Sequence, residues 1–378
     1  MTSVLIVSAY AHPHLGGVEV VVSQQARSLV TLGYQVKVIT SSVPGAPAHE
    51  RTADGYEVIR LPAWNGLEAR KGVPLPFWSP AALARIARLT SGADLVHVHD
   101  VYHPSSLVAA LAAKRRRKPL FVTQHVAIVN HDLAIVEAAQ KLCYARLAPF
   151  LWRPARQITV YNPIVHDFLI AHGVPPAKIH LTCNGIDTTD FTPAEIDVRQ
   201  VRLRFGLDPE LPVVLFAGRI VPKKGVHHLV RAGESRYQIA LAGPGRVPSH
   251  VPPGVHFLGP VDRAELKTLY QASDIFAFPA TGEMLTLVMQ EAMASGLPVV
   301  AADDPAYARY DLDPSGLELI DPGPEALRSA FLAILADDGR RNYMRGYSRK
   351  LAEDRFDWQK NAVTLAAAYE QAIARAPE

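Results

Sequence analysis

The chain has 378 residues, 49% hydrophobic and 20% charged, with a formal net charge of +3. That length exceeds one ordinary core and predicts two domains, and the composition excludes a disordered or fibrous chain. So small a net charge does not call for nucleic acid.

The opening MTSVLIVSAY has no basic lead and too short an apolar stretch for a signal peptide. No uninterrupted apolar run approaches a membrane span, so a cytoplasmic protein is expected. Cys143 and Cys183 fit neither a metal spacing nor a disulfide framework and read as reduced packing residues.

Short β-branched runs alternate with helical patterns along the chain. The first half carries them at 4–10, 34–41, 56–62, 94–100, 119–126, 156–162 and 178–185. The second carries them at 213–220, 237–245, 255–261, 274–280, 297–303 and 316–321. This alternation predicts parallel α/β sheets covered on both faces. Six or seven strands in each half predict two such sheets, with one eight-stranded barrel as the competing topology. The polar, proline-bearing 191–211 predicts a linker between domains 1–190 and 212–355. The amphipathic 356–378 reads as a helix that packs back on the first domain.

The first strand runs out into AYAHPHLGGVEV, where Gly16 and Gly17 open a helix. Glycines there let backbone N–H groups approach an anion, and a helix start favours negative charge. The G-x-G-x-x-G of dinucleotide binding is missing, so no such cofactor is expected. His97 and His99 alternate on a strand with no third ligand nearby, a pattern of packing or a cleft edge rather than a metal pair. KRRRK, Lys114–Lys118, ends a helix. It reads either as a C-terminal turn favoured by the helix dipole or as a dock for anionic lipid. The aromatic and basic 131–157 is compatible with an interfacial helix and equally with one that covers its domain, and reversible membrane contact is the reading taken.

In FAGRIVPKKGVHHLV, 216–230, Arg219 and Lys224 lie just past a strand's carboxyl end, where α/β sheets bind ligands. A guanidinium and an ammonium there suit a diphosphate clamp, against the plainer reading of a solvated basic turn. GEMLTLVMQEAMASGLPVV, 282–300, puts Glu283 just outside a helix start and Glu291 inside it, with Thr286 as cap. Eight helical positions span roughly 12 Å, which suits two grips on one elongated ligand better than a pair sharing a proton. Glu291 lies off the apolar stripe. A buried carboxylate needs donors, and the vicinal hydroxyls of a ribose would serve. Glu283, beside free helix amides, suits sugar hydroxyls with a phosphate close by. DLD at 311–313 matches a metal-binding pattern but falls in a proline-flanked loop, so no metal is expected.

GGVE (16–19), TQH (123–125), NGID (184–187), GRIVPKKG (218–225), LAGPG (241–245), FLGPVDRAEL (257–266) and EAMASGLPVV (291–300) follow one another in order. Together they resemble the retaining GT-B glycosyltransferases of family four, over nearly the whole length. The resemblance implies an α/β GT-B fold, with two Rossmann-like doubly wound parallel-sheet domains facing a central cleft. It also implies a nucleotide-sugar co-substrate, no cofactor or metal, and a sugar, lipid-linked or small-molecule acceptor.

Residue roles follow from the same likeness. Gly17, with Gly16, would meet the donor's β-phosphate through backbone amides, while Arg219 and Lys224 would neutralise the departing diphosphate. Glu283 and the amides of Leu285, Thr286 and Leu287 would hold the donor sugar, and Glu291 the ribose. The backbone around Val261 would meet the base, and His125 would sit near the forming bond. Two departures stand out. The run Glu283-Met284-Leu285-Thr286 lacks the glycine or small residue that many relatives have at its fourth place, so the side chains at 284 and 286 reshape the pocket, which bears on donor identity. PAYARY at 305–310 lacks the usual Pro-Glu. Two other readings are a nucleotide-sugar epimerase on the same architecture and a non-catalytic nucleotide-sugar-binding or membrane-docking protein.

Overall fold

The computed structural model describes residues 1–14, 16–71, 75–128, 134–246, 251–283 and 285–375. The chain forms two compact units, one of Met1–Cys183 with Trp358–Glu378 and one of Asn184–Asp357. Each is built on its own open parallel sheet, with two free edges and no closed barrel.

The first sheet runs, edge to edge, Ile179–Leu181, Gln157–Val160, Leu120–Gln124, Leu95–His99, Ser3–Val7, Gln35–Ser41, Glu57–Leu61 and His49–Arg51. All neighbours are parallel except the last pair. Its central strands are apolar on both faces, as burial between two layers of helices requires. Along Ser3–Val7, Leu5 and Val7 enter one core cluster while Val4 and Ile6 enter the other. The second cluster is closed by helix Trp358–Ala374, whose Ala366, Tyr369 and Ala372 lie with Val22, Ala26 and Leu29 of helix Gly17–Thr31.

The second sheet runs Val255–Gly259, Gln238–Ala242, Val213–Ala217, Ile275–Phe278, Val299–Ala302 and Glu318–Ile320, all parallel. Within 191–211, Arg202 of helix Val198–Arg204 is buried and donates to Asp274 at 2.8 Å and to the Leu211 carbonyl at 3.0 Å. No helix among the described residues is long and apolar enough to cross a membrane.

His49–Arg51 and a small hairpin of Ala63–Trp64 with Phe77–Trp78 were not expected from the sequence. The first has no apolar alternation because it is a charged antiparallel edge. The hairpin strands are two residues each, too short to show a period.

Candidate functional site

Both sheets reverse strand order beside their first strand, and in open α/β sheets ligands bind outside the carboxyl ends at such a point. In the second unit the reversal lies between Val213–Ala217 and Ile275–Phe278. The loop after the former carries Arg219 and Lys224, and the loop after the latter carries Glu283.

Gly225 lets these loops meet. Its φ is +69°, and a β-carbon there would come 2.5 Å from the Pro279 carbonyl oxygen. Only glycine satisfies both the turn and the approach. Lys224 bonds Glu283 directly, and its ammonium lies 5.1 Å from the centre of the Phe278 ring. Lys223 stands 3.9 Å from the same carboxylate. Arg219 is exposed, and no carboxylate among the described residues pairs with it.

Helix Leu287–Ala294 starts beside Glu283. Thr286 occupies its N-cap position, but its side chain makes no cap hydrogen bond and its hydroxyl is buried without a partner. This corrects the expected cap and leaves the first-turn amides of Leu287 and Val288 without a side-chain acceptor. Leu285 has a φ of +44°, a conformation that costs a non-glycine residue about 1–2 kcal/mol. It is held from both sides. Its amide donates to the Tyr307 hydroxyl, and its carbonyl accepts from Gln290 Nε2 at 2.7 Å. PAYARY supplies the clamp through Tyr307. Met284 lies outside the described residues.

Glu291 is 8% exposed. Arg263 reaches its Oε1 at 3.4 Å, and the Tyr270 hydroxyl reaches Oε2 at 3.2 Å. Burial pushes the carboxyl up to about 7, against the pull of Arg263 and Tyr270. Arg263 stacks over Phe191 at 4.5 Å and pairs with Asp190 at 3.3 Å. Val261 sits two residues before Arg263, in the loop that precedes helix Arg263–Ala272. That helix is fixed by a capping box between Asp262 and Glu265. Glu291 and the Val261 loop are thereby tied together.

In the first unit the reversal lies between Ser3–Val7 and Leu95–His99. Gly16 and Gly17 are exposed, and helix Gly17–Thr31 starts with no side-chain cap. A β-carbon at Gly17 would meet nothing within 4 Å, whereas one at Gly16 would strike the Glu19 carboxylate. His14 bridges Glu19 at 2.6 Å and Glu68 at 2.8 Å and stacks on Tyr10 with ring centres 4.1 Å apart.

His125 belongs to a chain of ring-nitrogen bonds. The Gln25 Oε1 accepts from His99 Nε2 at 3.0 Å, which leaves His99 Nδ1 to accept from His125 Nε2 at 2.9 Å. His125 Nδ1 therefore keeps its lone pair. His97 extends the chain to Thr123 at 2.7 Å and to the Tyr369 hydroxyl on the closing helix. Burial pushes His97 and His125 down to about 3 and His99 in the same direction, so the chain is neutral. Asp100, at φ +56°, accepts the His125 backbone N–H at 2.9 Å, and burial raises its carboxyl to about 7.

The structure thus joins Lys224 to Glu283 and ties Glu291 to the Val261 loop, while leaving Arg219, Gly16 and Gly17 open to solvent. Sequence reasoning missed Arg263, Tyr270, Gln25, His14, Glu19 and Asp100 as parts of these sites. His99 had been read as packing or a cleft edge, yet it is the direct partner of His125. The lone signal for Tyr270 was its place two helical turns after Arg263, on the same face. Asp313 of the DLD stretch is used locally, accepting from Ser315 at 2.6 Å and from the Tyr343 hydroxyl at 2.6 Å. Among the described residues no group of three His, Cys, Asp or Glu is arranged to hold a metal ion.

Comparison with known proteins matches Glycosyltransferase Family 4 over residues 15–190 and Glycosyl transferases group 1 over residues 211–337. A D-inositol 3-phosphate glycosyltransferase of Jonesia denitrificans is 30% identical, covering 94% of this chain and 91% of that protein. Sucrose-phosphate synthase of Thermosynechococcus elongatus shares the fold with a TM-score of 0.74 at 21% identity, over 99% of this chain and 100% of that one. Anabaena HepE, solved in complex with UDP and glucose, has a TM-score of 0.73 at 19% identity, over 98% of this chain and 100% of that one. With its two parallel-sheet units and its ordered motifs, the chain belongs to the family-four, group 1 glycosyltransferases.

Proposed function

We propose that the protein is a retaining, metal-independent hexosyltransferase that moves a sugar from a UDP- or GDP-sugar to a hydroxyl acceptor. The observation that carries this reading is the meeting of Lys224 and Glu283 at the strand-order reversal of the second sheet, beside a helix start with no side-chain cap. Arg219 and Lys224 take up the charge that grows on the departing diphosphate. Glu283 exchanges its lysine partner for the donor sugar's hydroxyls, and the amides of Leu285, Thr286 and Leu287 supply donors at the same place. Glu291 accepts from the ribose, and the Val261 backbone meets the base. The first unit contributes the amides of Gly16 and Gly17, which receive a phosphate oxygen. It also contributes the neutral His125, which accepts from a hydroxyl near the reacting carbon.

The bond from the sugar's anomeric carbon to the diphosphate oxygen breaks as the bond to the acceptor oxygen forms on the same face. The acceptor's proton passes to the departing diphosphate. HepE supports a nucleotide-sugar donor, since it was solved with UDP and glucose. The names of the relatives make D-inositol 3-phosphate the first acceptor to offer. A cytoplasmic setting is part of the proposal.

Incubation with UDP- and GDP-sugars and that acceptor, followed by NMR of the products, tests the reading. Nucleoside diphosphate and an α-configured glycoside should accumulate together from an α-configured donor. An inverted product overturns the retaining mechanism. An epimerised sugar nucleotide formed without acceptor identifies the epimerase instead, and tight binding with no turnover identifies a non-catalytic binder. Turnover should persist in EDTA, because two cationic side chains neutralise the diphosphate.

A further inference from the structure

At the opposite, amino-terminal edge of the first sheet lies a pocket of about 530 Å³. It opens beside the starts of strands Leu120–Gln124 and Gln157–Val160, with Leu120, Phe121 and Ala372 among its apolar lining. Lys114, Arg117 and Lys118 reach it from the end of helix Pro104–Arg115. Arg153 and Arg156 come from the turn before Gln157, Lys178 from the next loop, and Arg375 from the end of the closing helix. The lining thus holds seven cations and no acid.

Lys118 and Lys178 are half-buried and the other five are exposed, yet elsewhere in the chain exposed and buried cations alike find carboxylates, as Arg236 does with Glu234 and Arg202 with Asp274. None of these seven makes an ion pair with a described residue. Lys118 acts on Asp94 only at longer range, and Lys178 spends its ammonium on the Arg153 carbonyl at 2.7 Å. Helix dipoles do not balance the charge. Three helices end near the pocket, at about half an elementary negative charge each, against seven positive ones. Arg117 adds a second sign of purpose. It holds φ +54° where a helix ends, a position glycine normally fills, so its long side chain is kept at a conformational cost.

We propose that this pocket is an anion site that takes phosphate groups, separate from the sugar-transfer site. Its volume admits a phosphorylated small molecule, and its apolar floor suits an organic body attached to the phosphate. A lipid headgroup offers the same phosphate chemistry.

The test compares the full chain with a variant carrying Arg117→Ser, Arg156→Ser and Lys178→Ser. One arm titrates inorganic pyrophosphate calorimetrically, in a Lys224→Ala background so that the second unit does not contribute. The other sediments phosphatidylcholine vesicles with and without phosphatidylglycerol. The variant should bind about tenfold more weakly or worse, as losing several phosphate contacts implies. Weakening in the pyrophosphate arm assigns a soluble ligand, weakening in the vesicle arm assigns a lipid headgroup, and weakening in both supports the shared phosphate chemistry. Equal binding by parent and variant in both arms overturns the proposal. Arg156→Gln with Lys178→Gln repeats the comparison if the triple variant loses its thermal transition.

Discussion

Lys224 and Glu283 hold one another across two separate strand ends, 59 positions apart in the chain. Each completes the other's charge, which keeps the ammonium oriented and partly shielded, poised for the phosphate of the proposed donor.

Replacing either partner should therefore separate stability from turnover. The pair is partly solvated, so Glu283→Gln should change stability by less than about 1 kcal/mol. Turnover of either Glu283→Gln or Lys224→Ala should fall by about a hundredfold or more, as when a charge-stabilising donor is removed. Thermal melts beside initial rates of nucleoside diphosphate release check this, and unchanged rates in both variants would remove the pair from the mechanism.

Arg219→Ala tests the clamp from its exposed side. Stability should be unaffected, because the side chain is solvated and pairs with no described carboxylate. Turnover should drop by roughly tenfold to a hundredfold, with the donor's KM moving less, since the guanidinium acts on charge that develops during transfer. A pure KM effect would assign Arg219 to ground-state binding.

Glu291 should couple donor affinity to acidity. Its folded value of about 7 lies above the ordinary carboxyl range. Its contribution to stability is therefore fully present below its unfolded value and is lost as pH rises through about 7. The melting difference between parent and Glu291→Gln should shift in the variant's favour across that window. Glu291→Ala should weaken nucleotide binding by about tenfold to a hundredfold through lost hydroxyl contacts. A pH-independent melting difference would show the carboxyl to be ordinary.

The buried histidines predict the reverse slope. His103 is 5% exposed with Nδ1 unpartnered, and burial pushes it down to about 3. A depressed folded value gives stability that is present above the unfolded value near 6.5 and is lost as pH falls. His103→Leu should therefore melt progressively higher than the parent as pH drops from about 7 to about 4. Parallel melting curves for the two proteins would contradict a neutral His103.

The parallel strands were legible because runs such as VLIV and VVLFA are apolar on both faces, which only a sheet covered on both sides accommodates. Burial of Glu291 was legible from the scarcity of polar residues on its helix. Its partners were not, since Arg263 and Tyr270 arrive from another helix and nothing in local periodicity points across space. Leu285 was visible only as one of the backbone amides that the resemblance assigned to the donor sugar. The cost of its left-handed backbone and the Tyr307 clamp that holds it are properties of the folded loop. The histidine chain was hidden for a similar reason. Two alternating histidines on a strand look like packing until Gln25, from a different element, orders their protons.

Helix Trp358–Ala374 seats Tyr369 against His97, yet it leaves the ribosome after every residue of Asn184–Asp357. During synthesis the surface formed by Val22, Ala26 and Leu29 waits, uncovered and apolar, for a partner encoded only after the whole of the second unit. Translation that stops early would release a polypeptide able to complete its second half while leaving its first half sticky, and so marked for chaperones or proteolysis.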